Sequence, residues 1–221
     1  MTVEEAITGR RSIRKFKTDK VPREVIEHIL DAAQWSPSWG NTQPWELYVL
    51  TGEPLEEFRK ANHMKIINGE DYKTDIPIPE IWPDHLKKRY GEIGKTLLSA
   101  LGIPREDKES RNKFYEEMAQ LFGAPCMIIA CIPRASAVEY ALLDVGLVVQ
   151  TICLLAHDRG LGTCIMAAAV GYPELLRSIA SIPDELLIVV GIALGYPDGA
   201  APINAFKRVR ADTSEVVTWI D

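Results

Sequence analysis

The 221-residue sequence predicts one α+β domain, a small central sheet flanked by helices. Three segments carry that expectation. "APCMIIACIP" (Ala124 to Pro133) is a continuous apolar run of strand length, as a central strand buried on both faces requires. After Pro22, Val25, Ile26, Ile29, Leu30 and Ala33 share one helical face, with Glu24, Glu27, His28 and Asp31 mostly on the other. "YALLDVGLVVQTICLLAHDRG" (Tyr140 to Gly160) is too long for a strand and is apolar nearly all round apart from Asp144, Gln150 and Thr151. A helix of that kind must be buried on every side, in a large core or between subunits.

The remaining elements follow in order. "TVEEAITG" reads as a short helix closed by Gly9. The helix after Pro22 runs to about Gln34 and ends before Ser36-Pro37, because proline disfavours a helical residue ahead of it. "WELYVLTG" is a strand with a turn, and "EPLEEFRKANH" a helix with Pro54 in its first turn. Residues 67–83, "INGEDYKTDIPIPEIWP", are proline-rich and irregular, and two charged helices are expected at about 84–101 and 105–121. "GTCIMAAA" and "ELLIVVGIALG" add strands, so the sheet has four or five. "EVVTWID" has strand character but follows an irregular tail from Pro197 that looks able to reach away from its own domain. No repeat or low-complexity linker divides residues 1–221.

Composition narrows the function. Hydrophobic residues make up 47% and charged residues 25%, as in ordinary soluble globular chains. No apolar run was expected to reach the ~18 residues of a membrane span, and "MTVEEAITGR" carries acids where a secretory signal is basic, so a cytoplasmic protein is expected. Cys126, Cys131, Cys153 and Cys164 lack C-x-x-C spacing and read as buried free thiols. A net charge of -6 argues against nucleic acid or a membrane surface as partner. The histidines (His28, His63, His85, His157) are scattered without ligand spacing, so no metal is expected. There is no G-x-S-x-G, G-x-G-x-x-G or G-x-x-x-x-G-K-[ST]. With no hydrolytic or nucleophilic set, an enzyme of this sequence must leave its chemistry to a cofactor.

Positive charge is concentrated locally. Between Glu5 and Asp19 there is no acid, while "RRSIRKF" and its neighbour bring together Arg10, Arg11, Arg14, Lys15 and Lys17. A basic run is ordinarily a solvated face. A second cluster, "FKRVR" with Lys207, Arg208 and Arg210, allows the two to converge on one anion, with Ser12 as a neutral donor. "SPSWGNTQPW" (Ser36 to Trp45) puts amides, serine and tryptophans on a helix–strand loop, either a binding loop or a structural turn with tryptophans in the core. In "RGLGTCIM", Gly160 and Gly162 could bring backbone N–H groups close to a ligand; a helix C-cap explains Gly160 equally well, and Gly162 needs some other reason.

Taken together, these segments resemble the FMN-dependent nitroreductase family over nearly the whole chain. The order is R-R-S-x-R, then S-P-S-x-x-N-x-Q-P-W, then G-L-G-T-C after a long apolar helix, then "GIALGYPD" and a final basic pair before "EVVTWI". The insertion "IPEIWPDHLKKRYGEIGKTLLSALGIPRED" looks most like the branch that includes nitrobenzoate reductases.

The resemblance implies a nitroreductase-like fold, with a central mixed sheet of four to five strands in an intertwined homodimer. It places a lid at about 66–121 and a partner-wrapping tail at about 197–221. FMN would sit at the subunit interface. Arg10, Arg11, Ser12 and Arg14 would meet its phosphate, ribityl chain and pyrimidine edge; Arg208, Arg210 and, less centrally, Lys207 would complete the phosphate site. Pro37, Ser38, Trp39, Asn41 and Gln43 would come from the other subunit, and Gly160, Leu161, Gly162 and Thr163 would offer donors near N5 and O4. No protein acid–base residue is needed, since hydride passes through flavin N5. The implied activity is ping-pong transfer from NAD(P)H to nitroaromatics, quinones or similar acceptors. Related alternatives are reductive dehalogenation, consumption of flavin itself, or flavin binding without turnover. Tyr72, Trp82, Lys87, Arg89 and Tyr90 are the candidate substrate contacts, with solvated helix faces as the competing explanation.

Overall fold

The computed structural model describes residues 1–221. Its centre is β2 (Cys126–Pro133), where each residue from Cys126 to Ile132 is fully buried. The strand alternates with period two: Met127, Ile129 and Cys131 enter one apolar cluster, and Cys126, Ile128, Ala130 and Ile132 the other. β1 (Glu46–Thr51) and β4 (Leu186–Gly195) flank β2, and β3 (Gly162–Met166) lies beyond β4, giving the order β1-β2-β4-β3.

All three ladders are antiparallel, which corrects the expected mixed sheet. β2 and β3 do run parallel, joined by α6 (Val138–Asp158), but β4 inserts between them. The one parallel contact is the isolated bridge from Ser12 to Thr163. Four strands form the sheet; "EVVTWID" is not a fifth within this chain. It begins in a 3-10 turn at Thr213–Glu215, capped by Asp212, and ends with Trp219 and Ile220 82% and 93% exposed.

α6 and α2 (Arg23–Ala33) cover one face of the sheet; α3 (Gly52–Ile67) and α7 (Pro173–Ala180) cover the other. The sequence reading did not anticipate α7, which starts with Pro173 in its first turn and buries Leu176. The short α1 (Val3–Gly9) carries a capping box between Thr2 and Glu5. α6 corrects one expectation: it is 21 residues long and apolar enough to span a membrane by length and composition, although Val145, Val148, Ile152 and neighbours pack into the core. Within one chain Tyr140, Leu143 and Leu147 form an exposed apolar stripe, so the core alone does not bury this helix on every side.

Residues 68–83 are irregular, and α4 (Asp84–Ala100) and α5 (Lys108–Ala119) follow. α4 buries no residue. The irregular stem is held by specific polar contacts instead: Asp75 Oδ2 accepts from Arg177 Nη2 at 2.7 Å and from the Ile188 N–H at 2.8 Å. The Tyr172 hydroxyl donates to the Glu70 carbonyl at 2.7 Å. All four cysteines are free and buried, and burial pushes the Cys126 and Cys131 thiols up to about 12.

Candidate functional site

The two basic segments meet. After α1, Arg10–Phe16 runs extended over β3, with the Ile13 N–H donating to the Thr163 carbonyl at 2.9 Å. This explains Gly162: a Cβ there would lie 2.5 Å from Ile13 Cγ1. Gly160 is the helix C-cap glycine, at φ 72, with the Leu161 N–H returning to the Ala156 carbonyl at 2.9 Å. The buried Asn204 side chain stitches the C-terminal region on. It accepts from the Arg14 N–H at 2.8 Å and donates to the Lys15 and Asp198 carbonyls at 2.8 and 2.9 Å. Arg208 then donates to the carbonyls of Arg10 and Thr8, and Arg11 donates to the Phe206 carbonyl at 2.5 Å with its guanidinium over the Phe206 ring.

These cations lack anionic partners. Arg10, Arg11, Arg14, Lys207, Arg208 and Arg210 enter no ion pair, and Arg10 Nε and Arg11 Nε are buried without acceptors. Burial lowers the Arg11 pKa, helped by Arg208 and Arg14; burial also lowers that of Arg208, helped by Arg210 and Arg10. Repulsion of this kind favours a bound anion.

Two concavities adjoin the cluster. The smaller, of about 520 Å³, places Arg10 and Arg11 with Gly160, Leu161, Gly162 and Thr163. The larger, of about 1030 Å³, has Arg14 on its wall together with Cys164 to Ala168, α4, and the aromatic side chains Phe114, Tyr115 and Phe122. Met166, Ala167 and Ala168 escaped the sequence reading. A 3-10 turn begins at Ala167, so its first N–H groups have no intrahelical acceptor. No local sequence signal marks them, because the apolar run continues from Cys164 through Val170.

The loop Ser36–Trp45 does not join the cluster within one chain. It lies along α6, where the buried Asp144 carboxylate accepts from the Trp39 N–H at 3.1 and 3.2 Å. Ser36 Oγ donates to Thr151 Oγ1 at 2.8 Å, and Ser38 Oγ accepts from the Gln43 N–H at 2.9 Å. The expectation of core tryptophans holds for Trp45, whereas Trp39 is 65% exposed beside Tyr140. Pro37, Asn41 and Gln43 are exposed, and Gly40, Asn41 and Gln43 all have φ between 47 and 58. Left-handed backbone at a non-glycine such as Gln43 is strain of the kind found at binding loops.

The proposed substrate contacts separate. Tyr90 lines the larger cavity and stacks on Trp82 with ring centroids 6.0 Å apart. Tyr72 does not line it; its ring seats on Gly171, where a Cβ would come within 2.3 Å, and it packs edge-on against Tyr172. Arg89 is committed to Glu215 at 2.9 Å, and Lys87 is exposed away from the cavity. Local packing and an ion pair therefore occupy Tyr72 and Arg89.

Comparison with known proteins agrees with this architecture. The model of the Nitroreductase family matches residues 7–196. A 4-nitrobenzoate reductase from Nocardioides sp. (strain LMS-CY) is 33% identical, covering 97% of this chain and 89% of the relative. A nitrobenzene nitroreductase from Ectopseudomonas oleovorans is 31% identical over 99% of this chain and 96% of the relative. The crystal structure of the FMN and NADPH-dependent nitroreductase NfnB from Sphigopyxis sp. strain HMH superposes with a TM-score of 0.96 at 30% identity, covering both chains completely (100% each). That of the FMN-dependent NfnB from Mycobacterium smegmatis in complex with NADPH gives 0.93 at 27% identity, over 99% and 97%. With the family's sequence pattern spanning most of its length and its fold reproduced throughout, this chain belongs to the Nitroreductase family.

Proposed function

We propose that this protein is a homodimeric FMN-dependent oxidoreductase that takes hydride from NAD(P)H and delivers it to nitroaromatic, quinone or similar acceptors. The observation that carries this reading is an arginine cluster without counter-ions beside a large, mostly apolar cavity, in a chain of this family. The residues fit FMN: buried guanidinium nitrogens without acceptors suit its phosphate, and the apolar cavity suits its ring. FMN, when bound, supplies reversible two-electron acceptance at N5.

The chain's own residues bind and orient. Arg10, Ser12, Arg208 and Arg210 hold the phosphate, while Arg11 chiefly fastens the C-terminal segment through Phe206. Arg14 favours negative charge on the pyrimidine edge. Gly160, Leu161, Gly162 and Thr163 share the concavity of Arg10 and Arg11, so their proposed role moves to the phosphate end. The ring-edge N–H donors are then Met166, Ala167 and Ala168. No protein proton donor is required for the hydride itself.

The exposed stripe of Tyr140, Leu143 and Leu147, with Trp39 beside it, supports a second copy packing on α6. Pro37, Ser38, Trp39, Asn41 and Gln43 then reach the partner's flavin, and Trp219 and Ile220 lie on the partner. Free buried thiols support a cytoplasmic setting.

The test is direct. The purified protein should show a flavin spectrum that bleaches with NADPH and recovers with a nitroarene. A colourless protein that takes up no FMN overturns the proposal. Arg10→Ala and Arg208→Ala should each weaken FMN retention by about ten-fold or more, the scale of a lost charge-assisted hydrogen bond. Unchanged flavin affinity would reject the phosphate assignment.

A further inference from the structure

The wall of the larger cavity carries four basic side chains, Arg14, Lys95, Arg105 and Arg111, and no acidic one. In a chain of net charge -6 this is not the default of composition. Arg14 belongs to the flavin end. The other three come from a different wall, Lys95 from α4, Arg105 from the connection after it and Arg111 from the first turn of α5, and none of them forms an ion pair.

Three acids near Arg105 and Arg111 are engaged elsewhere, whereas Glu106, next to Arg105, enters no ion pair and does not line the cavity. The Asp107 carboxylate accepts from the Ser110 N–H at 3.0 Å, Glu109 pairs with Lys113 at 3.0 Å, and Glu116 faces His63 at 3.6 Å. Arg111 Nη1 donates to the Arg105 carbonyl at 3.2 Å, which ties its guanidinium to that connection, while its Nε is buried without an acceptor. A cation held in place, short of acceptors and bordering an apolar cavity is arranged for an anionic oxygen group. Arginine offers that group two parallel donors, which a carboxylate matches.

Building on the FMN oxidoreductase reading, we propose that Arg111 and Arg105, assisted by Lys95, bind the carboxylate of an aromatic acid acceptor whose ring occupies the apolar part of the cavity. The enzyme is thereby selective for anionic nitroaromatics over neutral ones with the same ring. Arg111 and Arg105 are specificity-determining residues in this proposal, and hydride transfer does not pass through them. The phosphates of NAD(P)H offer the same anionic chemistry, so the test must separate the two sources.

The flavin-loaded enzyme is reduced, then mixed rapidly with 4-nitrobenzoate or its methyl ester, and flavin reoxidation is followed. The wild type should favour the acid, with the preference falling as salt is added. Arg111→Gln and Arg105→Gln should each lower the acid-to-ester ratio of kcat/KM by about ten-fold, and Arg111→Lys should restore part of it. An unchanged ratio overturns the proposal. So does a pair of variants that slow only flavin reduction by NADPH or NADH, which assigns the cations to the nicotinamide cofactor. Calorimetry with benzoate is the second readout: binding by the wild type and loss in Arg111→Gln supports the carboxylate site even in a protein without flavin. A colourless protein that still binds benzoate would defeat the oxidoreductase reading alone. An active flavoenzyme that binds benzoate no better than its Arg111→Gln variant would defeat this one alone.

Discussion

β2 and α4 hold their places by opposite means. Every β2 residue from Cys126 to Ile132 is fully buried, whereas α4 buries none of its residues. The strand is fixed by apolar area removed from water, which is non-directional and summed over many atoms. α4 and the irregular segment before it are fixed by a few directional contacts: Asp75 with Arg177, Trp82 on Tyr90, and Arg89 with Glu215. The difference teaches where the molecule can adjust. The sheet presents β3 and Arg14 rigidly, while α4 can shift over the cavity without unpacking a core.

The strongest way to break this comparison is one truncation made twice. Ile129→Ala, at a position with no exposure, should cost about 3–4 kcal/mol in urea unfolding. Ile93→Ala in α4, where the side chain is 40% exposed, should cost less than about 1 kcal/mol. Equal losses would mean that α4 shares the core's packing.

Removing the stem's anchor comes next. Arg177→Met leaves the Asp75 carboxylate buried without its cation and should destabilise the protein by about 3 kcal/mol. Limited proteolysis should then cut residues 68–83 faster, while the near-ultraviolet spectrum of the folded core is retained. No change in cleavage would show that the stem is held by something else.

A smaller effect distinguishes the regions by pH. Burial raises the Cys126 and Cys131 thiols to about 12, and 84–119 contains no cysteine. Above pH 9 the unfolded chain loses these protons and the folded chain keeps them, so stability falls as pH rises. Below about pH 8 both states are protonated and this contribution is fully present. Each thiol should weaken the fold by about 1.4 kcal/mol between pH 8 and pH 10. Proteolysis of residues 68–83 should not follow that curve; if it does, that segment and the sheet open together. The smallest effect belongs to Arg89→Gln, whose partner Glu215 is solvent-exposed: the urea midpoint should stay put while cleavage within the C-terminal tail quickens.

Much of this contrast was legible in the residues. β2 and α2 were readable because apolar periodicity reports burial directly, and both were found within a few residues of expectation. The two basic clusters were readable because charge is a property of composition. α7 was overlooked although its signal is present: behind Pro173, Leu175, Leu176, Ile179 and Ala180 fall on one helical face and pack into the core. The residues that line the cavity could not be separated from those engaged in local packing. Tyr72 and Tyr90 look alike in sequence, yet one meets the bare backbone of Gly171 and the other an open cavity.

By itself the sequence determined which segments are apolar on two faces, which on one, and where positive charge is held without acid. Those are sums over neighbouring residues, and they carried the α+β class, the family resemblance and the two arginine clusters. The tertiary structure decided what depends on distant partners. β4 inserts between β2 and β3 and makes every ladder antiparallel. Gly162 is small because Ile13 passes over it, and Asn204 draws the two arginine segments together across 190 residues of chain. Local pattern cannot encode such pairings, because the free energy that selects them appears only when both partners are in place.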